Sequence, residues 1–339
     1  GASPDGRLGV SIGLDSDSTP FCRGAGRLVY SGRVYPMEMR PFQVLAPATT
    51  ANLGPGFDCL GLALDLWNRL DIVSGISRAQ DTSLVEVIGE GAGELPTDAD
   101  NLVYQAMTCL FRQANEAMPP VRLRCRNQIP LKRGLGSSAA AIVGGLVAAN
   151  ALCSRPFSSS ELLAMAATIE GHPDNVAAAL LGGLQLVVAD DDQGDTPVSP
   201  PLTKGGYRGV RLFTAAINVP AELHAVLFIP EVRIATADAR AVLPSKVSRA
   251  DAVYNMGRIA LLVAGMATNQ PEYLAMGTQD RLHQPYRQPL FPAMKHLMTA
   301  AREAGALGAF LSGSGSTVLA LTRGREVTVA YEMAEAARQ

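Results

Sequence analysis

The chain has 339 residues, 47% hydrophobic and 18% charged, with 33 glycines, 22 prolines and a formal net charge of −2. That balance fits a folded globular protein of one large or two smaller domains and excludes a mainly disordered one. The near-neutral charge leaves no basic footprint for nucleic acid, and no run of about 20 apolar residues is present to span a membrane. Five cysteines without a CxxC pair and four histidines without HExxH spacing argue against a disulfide framework or a zinc site. Reduced, mostly buried thiols in a cytoplasmic protein are expected.

Residues 1–36 are rich in Gly, Ser, Asp and Arg, with neither a sustained period nor the apolar segment of a secretory signal. Asp5, Asp15 and Asp17 speak against a transit peptide, so 1–38 is expected to be a disordered or non-native leader. Phe42–Pro47 then predicts a strand stopped by its proline, followed by a Gly/Pro-punctuated loop, ATTANLGPGFDCLG, and an apolar run, LALDLWNRLDIV. A strand, SLVEVIG, precedes an amphipathic helix in DADNLVYQAMTCLFRQANEA with Asp100 as its N-cap. In VRLRCRNQIP, Val121, Leu123 and Cys125 alternate with arginines, the period of a half-buried strand.

A glycine-rich turn then feeds a helix of small residues, LKRGLGSSAAAIVGGLVAANAL, and a serine-capped helix, SSSELLAMAATIEG, and a strand, GGLQLVV, follow. The polar, acidic stretch 190–209 reads as an exposed loop with a domain seam between 190 and 222, drawn at 205/206. Beyond it come a strand (HAVLFIP), a short helix (TADARAVLP), long helices over Val247–Ala267 and FPAMKHLMTAAREAGA, a strand-turn-strand unit (GAFLSGSGSTVLALT) and a last helical run (VTVAYEMAEAARQ). Strands and helices mix without strict alternation, which favours an α+β fold.

Pro130-Leu131-Lys132-Arg133-Gly134-Leu135-Gly136-Ser137-Ser138-Ala139-Ala140 is the most informative segment. Gly134 and Gly136 permit positive φ and leave backbone N–H groups bare. The serines open a helix whose free N–H groups favour phosphate. The segment is neither a Walker A motif nor GxGxxG, and a tight strand-to-helix turn without ligand is the alternative. In Glu170-Gly171-His172-Pro173-Asp174-Asn175, carboxylates, an imidazole and an amide crowd a helix end. That density suits metal holding and hydroxyl positioning, or simple capping of the next helix by Asp174 or Asn175. Asn52 and Asp58 sit among glycines. Arg240, after Thr236 on a predicted helix, and Arg287 in His-Gln-Pro-Tyr-Arg could grip a carboxylate or phosphate, or could face solvent.

These clusters, in this order, resemble the GHMP kinase superfamily and, within it, the homoserine kinases. Ala46–Leu64 (APATTANLGPGFDCLGLAL) is similar to the N-terminal signature, Gly134–Ala140 to the phosphate loop, Glu170–Gly183 (EGHPDNVAAALLGG) to the segment that sets this family apart, and Leu307–Leu319 to the C-terminal glycine motif. The resemblance runs from about Arg40 to the end. The leader has no counterpart, and family members usually continue past the final helical run into another short strand.

The resemblance implies a two-domain α+β fold. Its N-terminal half, 39–205, would bind ATP and be like ribosomal protein S5 domain 2; its C-terminal half, 206–339, would be ferredoxin-like. It implies transfer of phosphate from MgATP to L-homoserine, on the route to threonine. Pro130 to Ala140 would cradle ATP, Lys132 and Arg133 would add charge at its rim or face water, and Ser138 and Glu170 would hold Mg²⁺. Arg240 and Arg287 would bind the substrate carboxylate, Asp58 and Asn52 its ammonium, and His172, Asp174 and Asn175 would surround the attacking hydroxyl. Thr236 would touch the γ-phosphate or the substrate. A loose transition state needs little base help, so Asp174 is expected to position rather than deprotonate. A kinase for another small alcohol, a nucleotide sensor without chemistry and an S5-like interaction protein stay open as rivals. Neither nucleic acid nor membrane is expected as a partner, and a homodimer is left open.

Overall fold

Hydrophobic alternation and helical periodicity sort the chain into two sheets and their covering helices. The computed structural model describes residues 10–13, 22–23, 41–74, 84–190 and 211–338. In chain order the strands and helices of the first part are β1 (Val10–Gly13), β2 (Cys22–Arg23), β3 (Phe42–Asn52), β4 (Gly56–Ser74), β5 (Val85–Gly89), α1 (Leu102–Ala114), β6 (Val121–Asn127), α2 (Ser137–Leu152), α3 (Ser159–Glu170), α4 (Asp174–Leu181), β7 (Leu184–Asp190) and β8 (Arg211–Ile217). There follow β9 (His224–Phe228), α5 (Thr236–Ala241), α6 (Arg249–Ala267), α7 (Leu274–Gly277), α8 (Gln284–Arg287), α9 (Met294–Glu303), β10 (Gly308–Leu311), β11 (Val318–Thr322) and α10 (Glu326–Ala336).

The larger sheet has the order β2-β3-β4-β6-β5, with β7 on β4 and β8 on β7. Strand β4 is long enough to serve two neighbours on one side: Arg69–Ser74 pair with β6, and Leu60–Leu62 pair with β7. Val44, Leu70, Ile72, Leu123 and Cys125 face the small-residue helix α2 and α1 in one core. Each large aliphatic side chain buried there contributes about 1.5–3 kcal/mol. The smaller sheet, β1-β9-β11-β10, is antiparallel. Val226, Phe228, Leu311 and Val318 on one face pack under α9 and α10 against Leu297, Val329 and Met333. Leu227, Phe310, Leu319 and Leu321 on the other face join Leu53, Leu60, Leu62 and Leu64, so a shared core fastens the two halves together. This is the expected two-domain α+β architecture.

Several local expectations are corrected. The strand read as ending at Pro47 runs on to Asn52. Its register shifts between Pro47 and Ala48, and a bulge there accommodates a residue that has no N–H for the ladder. GFDCLG, read as loop, belongs to β4. Asn101 rather than Asp100 caps α1, its side chain accepting from the Val103 N–H at 3.0 Å. Strand β8 pairs along its whole length with β7, so the larger sheet continues past 205/206. Within the segment read as a disordered leader, β1 pairs with β9 and β2 with β3. The rest of 1–38 falls outside the described residues.

Candidate active site

A cavity of about 610 Å³ opens between the two halves. Its phosphate-sized end is the loop before α2. Lys132, Gly134 and Gly136 have φ of 55°, 73° and 66°, an alternation that turns successive N–H groups to one side. The loop carbonyls are turned back onto the scaffold. Gly134 O accepts from Ser312 Oγ (2.6 Å), Leu135 O from Thr49 N (3.1 Å), Arg133 O from Thr317 N (3.1 Å) and Lys132 O from Ile234 N (3.1 Å). A Cβ on Gly134 would stand 2.1 Å from Ser312 O and one on Gly136 1.9 Å from Thr49 Oγ1, so only glycine allows this seating. No side chain caps α2, whose first-turn N–H groups stay available to an anion.

Ser138 lies in the first turn of α2 and donates to Glu170 Oε1 at 2.5 Å, bridging to the last residue of α3. His172 Nε2 is 3.8 Å from the same oxygen, and its Nδ1 is 3.0 Å from Asp174 Oδ1. Burial alone pushes the imidazole's pKa down, but the Asp174 hydrogen bond and the charges of Asp174 and Glu170 outweigh it and raise the pKa above its ordinary value. Asp174 is 2% exposed. Burial opposes its ionisation, yet His172, the Asn175 N–H (2.7 Å) and Arg240 hold its pKa below the usual range. Neither Asp174 nor Asn175 caps α4 from outside; both lie within its first turn. Asn175 Oδ1 accepts from Thr49 Oγ1 at 2.7 Å.

Ser138 and Glu170 present only oxygen donors beside the phosphate loop, a donor set that fits Mg²⁺. Among the described residues no group of three or more His, Cys, Asp or Glu side chains could hold a metal.

At the other end of the cavity, Arg240 binds Asp58 through both nitrogens, Nη1 to Oδ2 at 2.9 Å and Nη2 to Oδ1 at 2.6 Å. The two charges expected to bind opposite ends of the substrate therefore bind each other. Arg287 is 3% exposed. Its Nε donates to Ala239 O (3.1 Å), and its Nη1 donates to Gly313 O (2.8 Å) and His283 Nδ1 (3.0 Å). No carboxylate lies within ion-pair distance of it among the described residues. Burial, then the charge of Arg240, depresses its pKa to about 10, against the pull of Asp58, Asp280 and Asp174.

The structure brings nearly all the expected site residues to one cavity, Asn52, Asp58, Glu170, His172, Asp174, Asn175, Thr236, Arg240 and Arg287 among them. Asn52 is braced at both ends, accepting from Asp58 N (3.1 Å) and donating to Gly313 O (3.0 Å), so it shapes the loop that carries Asp58. Ala139 is withdrawn into the core. Arg133 lines the cavity with its side chain largely buried, 3.5 Å from the exposed Glu231. Thr236 Oγ1 stands 3.5 Å from Ser314 Oγ.

Reading the sequence missed Thr49, Ser312 and Asn68. Asn68 Oδ1 accepts from Gln128 N (2.8 Å) and Ile129 N (3.0 Å) just ahead of the phosphate loop. It also missed the apolar wing of the cavity, formed in part by Leu70, Leu95, Pro96 and Leu102. Thr49 and Ser312 lie within the signature segments Ala46–Leu64 and Leu307–Leu319 without standing out there, Asn68 carries no motif, and apolar side chains lining a cleft look like core in a linear sequence.

The family model described as "GHMP kinases N terminal domain" matches residues 101–183, and that described as "GHMP kinases C terminal" matches 252–339. Homoserine kinase of Moorella thermoacetica is 43% identical over 295 residues, covering 86% of this chain and 91% of its own length. Homoserine kinase of a Synechocystis species is 44% identical over 283 residues, with 84% and 86% covered. The crystal structure of homoserine kinase from Cytophaga hutchinsonii superposes with a TM-score of 0.70 at 31% identity, covering 90% of this chain and 92% of that one. Streptococcus pneumoniae phosphomevalonate kinase, with a TM-score of 0.61 at 16% identity, shares the fold alone. With the phosphate loop, the Glu170–Asn175 cluster and matches across both halves, the chain belongs to the homoserine kinases of the GHMP kinase family.

Proposed function

We propose that the protein transfers the γ-phosphoryl group of ATP to the side-chain hydroxyl of L-homoserine, giving O-phospho-L-homoserine and ADP in threonine biosynthesis. The observation that carries this reading is Arg287, a buried guanidinium with no carboxylate within ion-pair distance among the described residues, beside an Asp58–Arg240 pair that offers both signs of charge. A small zwitterion supplies what such a site lacks. A sugar does not. The substrate carboxylate would meet Arg287 and Arg240, and its ammonium would use the remaining lone pairs of Asp58.

Phosphoryl transfer proceeds through a loose transition state and depends on in-line positioning and charge stabilisation. The N–H groups of Gly134 to Ser138 would cradle the phosphates, and the apolar wing at Leu70, Leu95 and Leu102 would take the base. Ser138 and Glu170 would hold Mg²⁺, which when bound neutralises charge on the β- and γ-phosphate oxygens. Asp174, its pKa held low by His172 and the Asn175 N–H, is a weak base. It would orient the hydroxyl together with His172 and Asn175. Thr236, at the mouth beside Ser314, would contact the γ-phosphate or the substrate.

No helix among the described residues is long and apolar enough to cross a membrane, which accords with a cytoplasmic enzyme of small-molecule metabolism. The test is ADP release by purified protein with MgATP and a panel of L-homoserine, mevalonate, shikimate and galactose. Homoserine-dependent release, with phosphohomoserine identified by mass, is expected. Release with another alcohol alone would overturn the arginine clamp, and ATP binding without release on any alcohol would favour a sensor.

A further inference from the structure

The β3–β4 turn and Arg287 lie more than two hundred residues apart in sequence, yet one side chain touches both. His283 is fully buried. Its Nε2 is 2.7 Å from Gly54 O, and its Nδ1 is 3.0 Å from Arg287 Nη1. A carbonyl can only accept and a guanidinium can only donate. The ring must therefore carry its proton on Nε2 and present a bare lone pair at Nδ1, which is the neutral tautomer. Burial, with the charge of Arg287, outweighs the pull of Asp280 and lowers the His283 pKa to about 4, in keeping with that assignment.

The ring is itself held from behind. Asp280, whose side chain is also fully buried, accepts from the backbone N–H groups of Leu282 (2.8 Å), His283 (3.0 Å) and Gln284 (2.7 Å) and from Asn255 Nδ2 (2.8 Å). In front, the Phe57 ring lies 5.3 Å from the His283 ring. The same phenyl ring carries the guanidinium of Arg240 at 5.4 Å and that of Arg287 at 5.6 Å. One aromatic ring between two like charges offsets part of their repulsion and holds both at the substrate end of the cavity.

We propose that His283 is a positioning residue for substrate selection: its Nδ1 lone pair fixes the Arg287 fork and its Nε2–H ties that fork to the β3–β4 turn that leads into Phe57 and Asp58. With Nε committed to Ala239 O and Nη1 to Gly313 O and His283, Nη2 of Arg287 is left for the substrate. Losing the Nδ1 acceptor frees the fork to rotate and costs recognition of the carboxylate while leaving the phosphate loop intact. The inference rests on the reading of Arg287 as the carboxylate clamp.

The test uses two amides that each mimic one ring nitrogen. Asn in place of His283 sets its Oδ1 near the Nδ1 position and keeps the acceptor for Arg287, whereas Gln reaches the Nε2 position and keeps the donor to Gly54 O. Steady-state kinetics on full-length wild type, His283→Asn, His283→Gln and Arg287→Lys give KM for L-homoserine and for ATP separately. Losing a hydrogen bond to a charged group corresponds to about tenfold, so KM for homoserine should rise about tenfold more in the Gln variant than in the Asn variant. KM for ATP should move by less than about threefold in both, since the phosphate loop keeps its contacts. Equal effects of Asn and Gln, or parallel changes in both KM values, while Arg287→Lys raises KM for homoserine, would overturn the role of His283 and leave the clamp standing. An unchanged homoserine KM in Arg287→Lys would overturn the clamp and this inference with it.

Discussion

Replacing Arg287 by Lys tests the substrate reading most directly, because it keeps a positive charge and removes only the planar fork. In the structure the guanidinium satisfies three acceptors, Ala239 O, Gly313 O and His283 Nδ1, in a pocket where the residue is 3% exposed. A single ammonium cannot reach all three from one position. At about 1 kcal/mol for each buried acceptor left unpaired, folding stability should drop by about 1–2 kcal/mol. The effect on substrate is larger. A charge-assisted contact to carboxylate is worth about 2–3 kcal/mol, and at about 1.4 kcal/mol per tenfold KM for homoserine should rise about 30- to 140-fold. KM for ATP should move by less than about threefold, since the phosphate loop keeps its contacts. Coupled ADP release with each substrate titrated at saturating partner measures both, and a thermal melt shows that the variant is folded. A parallel rise in both KM values, or a loss of kcat with the homoserine KM unmoved, would refute the assignment.

Three further outcomes follow from other parts of the site. Glu170→Ala should lower kcat by about tenfold or more and shift the Mg²⁺ activation curve to higher concentration, because half of the oxygen pair with Ser138 is lost; an unshifted curve removes Glu170 from the metal shell. Gly136→Ala forces a Cβ to 1.9 Å from Thr49 Oγ1 at a φ of 66°. It should therefore weaken nucleotide binding in calorimetry by about tenfold or more, at a strain of about 1–3 kcal/mol, and wild-type affinity would show that the loop is not seated as described. For His283, whose folded pKa is lowered to about 4, the neutral form contributes stability above the ordinary value of 6.5 and loses it as pH falls toward 4. The urea midpoint of the wild type should accordingly decline between those values, and that of His283→Asn should decline less; matching slopes would contradict a buried neutral imidazole.

The short-range features of the chain were legible from residue types alone. Gly134, Gly136 and the serines that follow announce a bare loop and a helix start, and the alternation of Val121, Leu123 and Cys125 identifies their strand and its inward face. Ser158 and Glu161 form a capping box that marks the start of α3. In each case the determining interactions span a few residues. Competing local signals were harder to separate: Asp98, Asp100 and Asn101 all cap helices well, and which one does so depends on where the preceding turn aims the chain. Asn101 does so here because its Nδ2 is also anchored to Pro96 O at 2.7 Å. Pro47 ends most strands, but a bulge in the long β3–β4 ladder absorbs it.

The sequence by itself determined the α+β class and the phosphate loop, which rest on local backbone freedom and residue chemistry, and the resemblance to homoserine kinases supplied many of the polar residues that line the cavity. Tertiary structure alone decided how those residues are paired. Asp58 meets Arg240 across 182 positions, Thr49 meets Asn175 across 126, and Asn52 meets Gly313 across 261. No local pattern encodes such contacts, because they follow from how two sheets pack through the leucines of the shared core. The same packing removes Ala139 to the interior and buries Arg133 against Glu231. It also leaves Arg287 as a buried cation with no carboxylate within ion-pair distance among the described residues, a state that depends on what surrounds a guanidinium and not on its being an arginine.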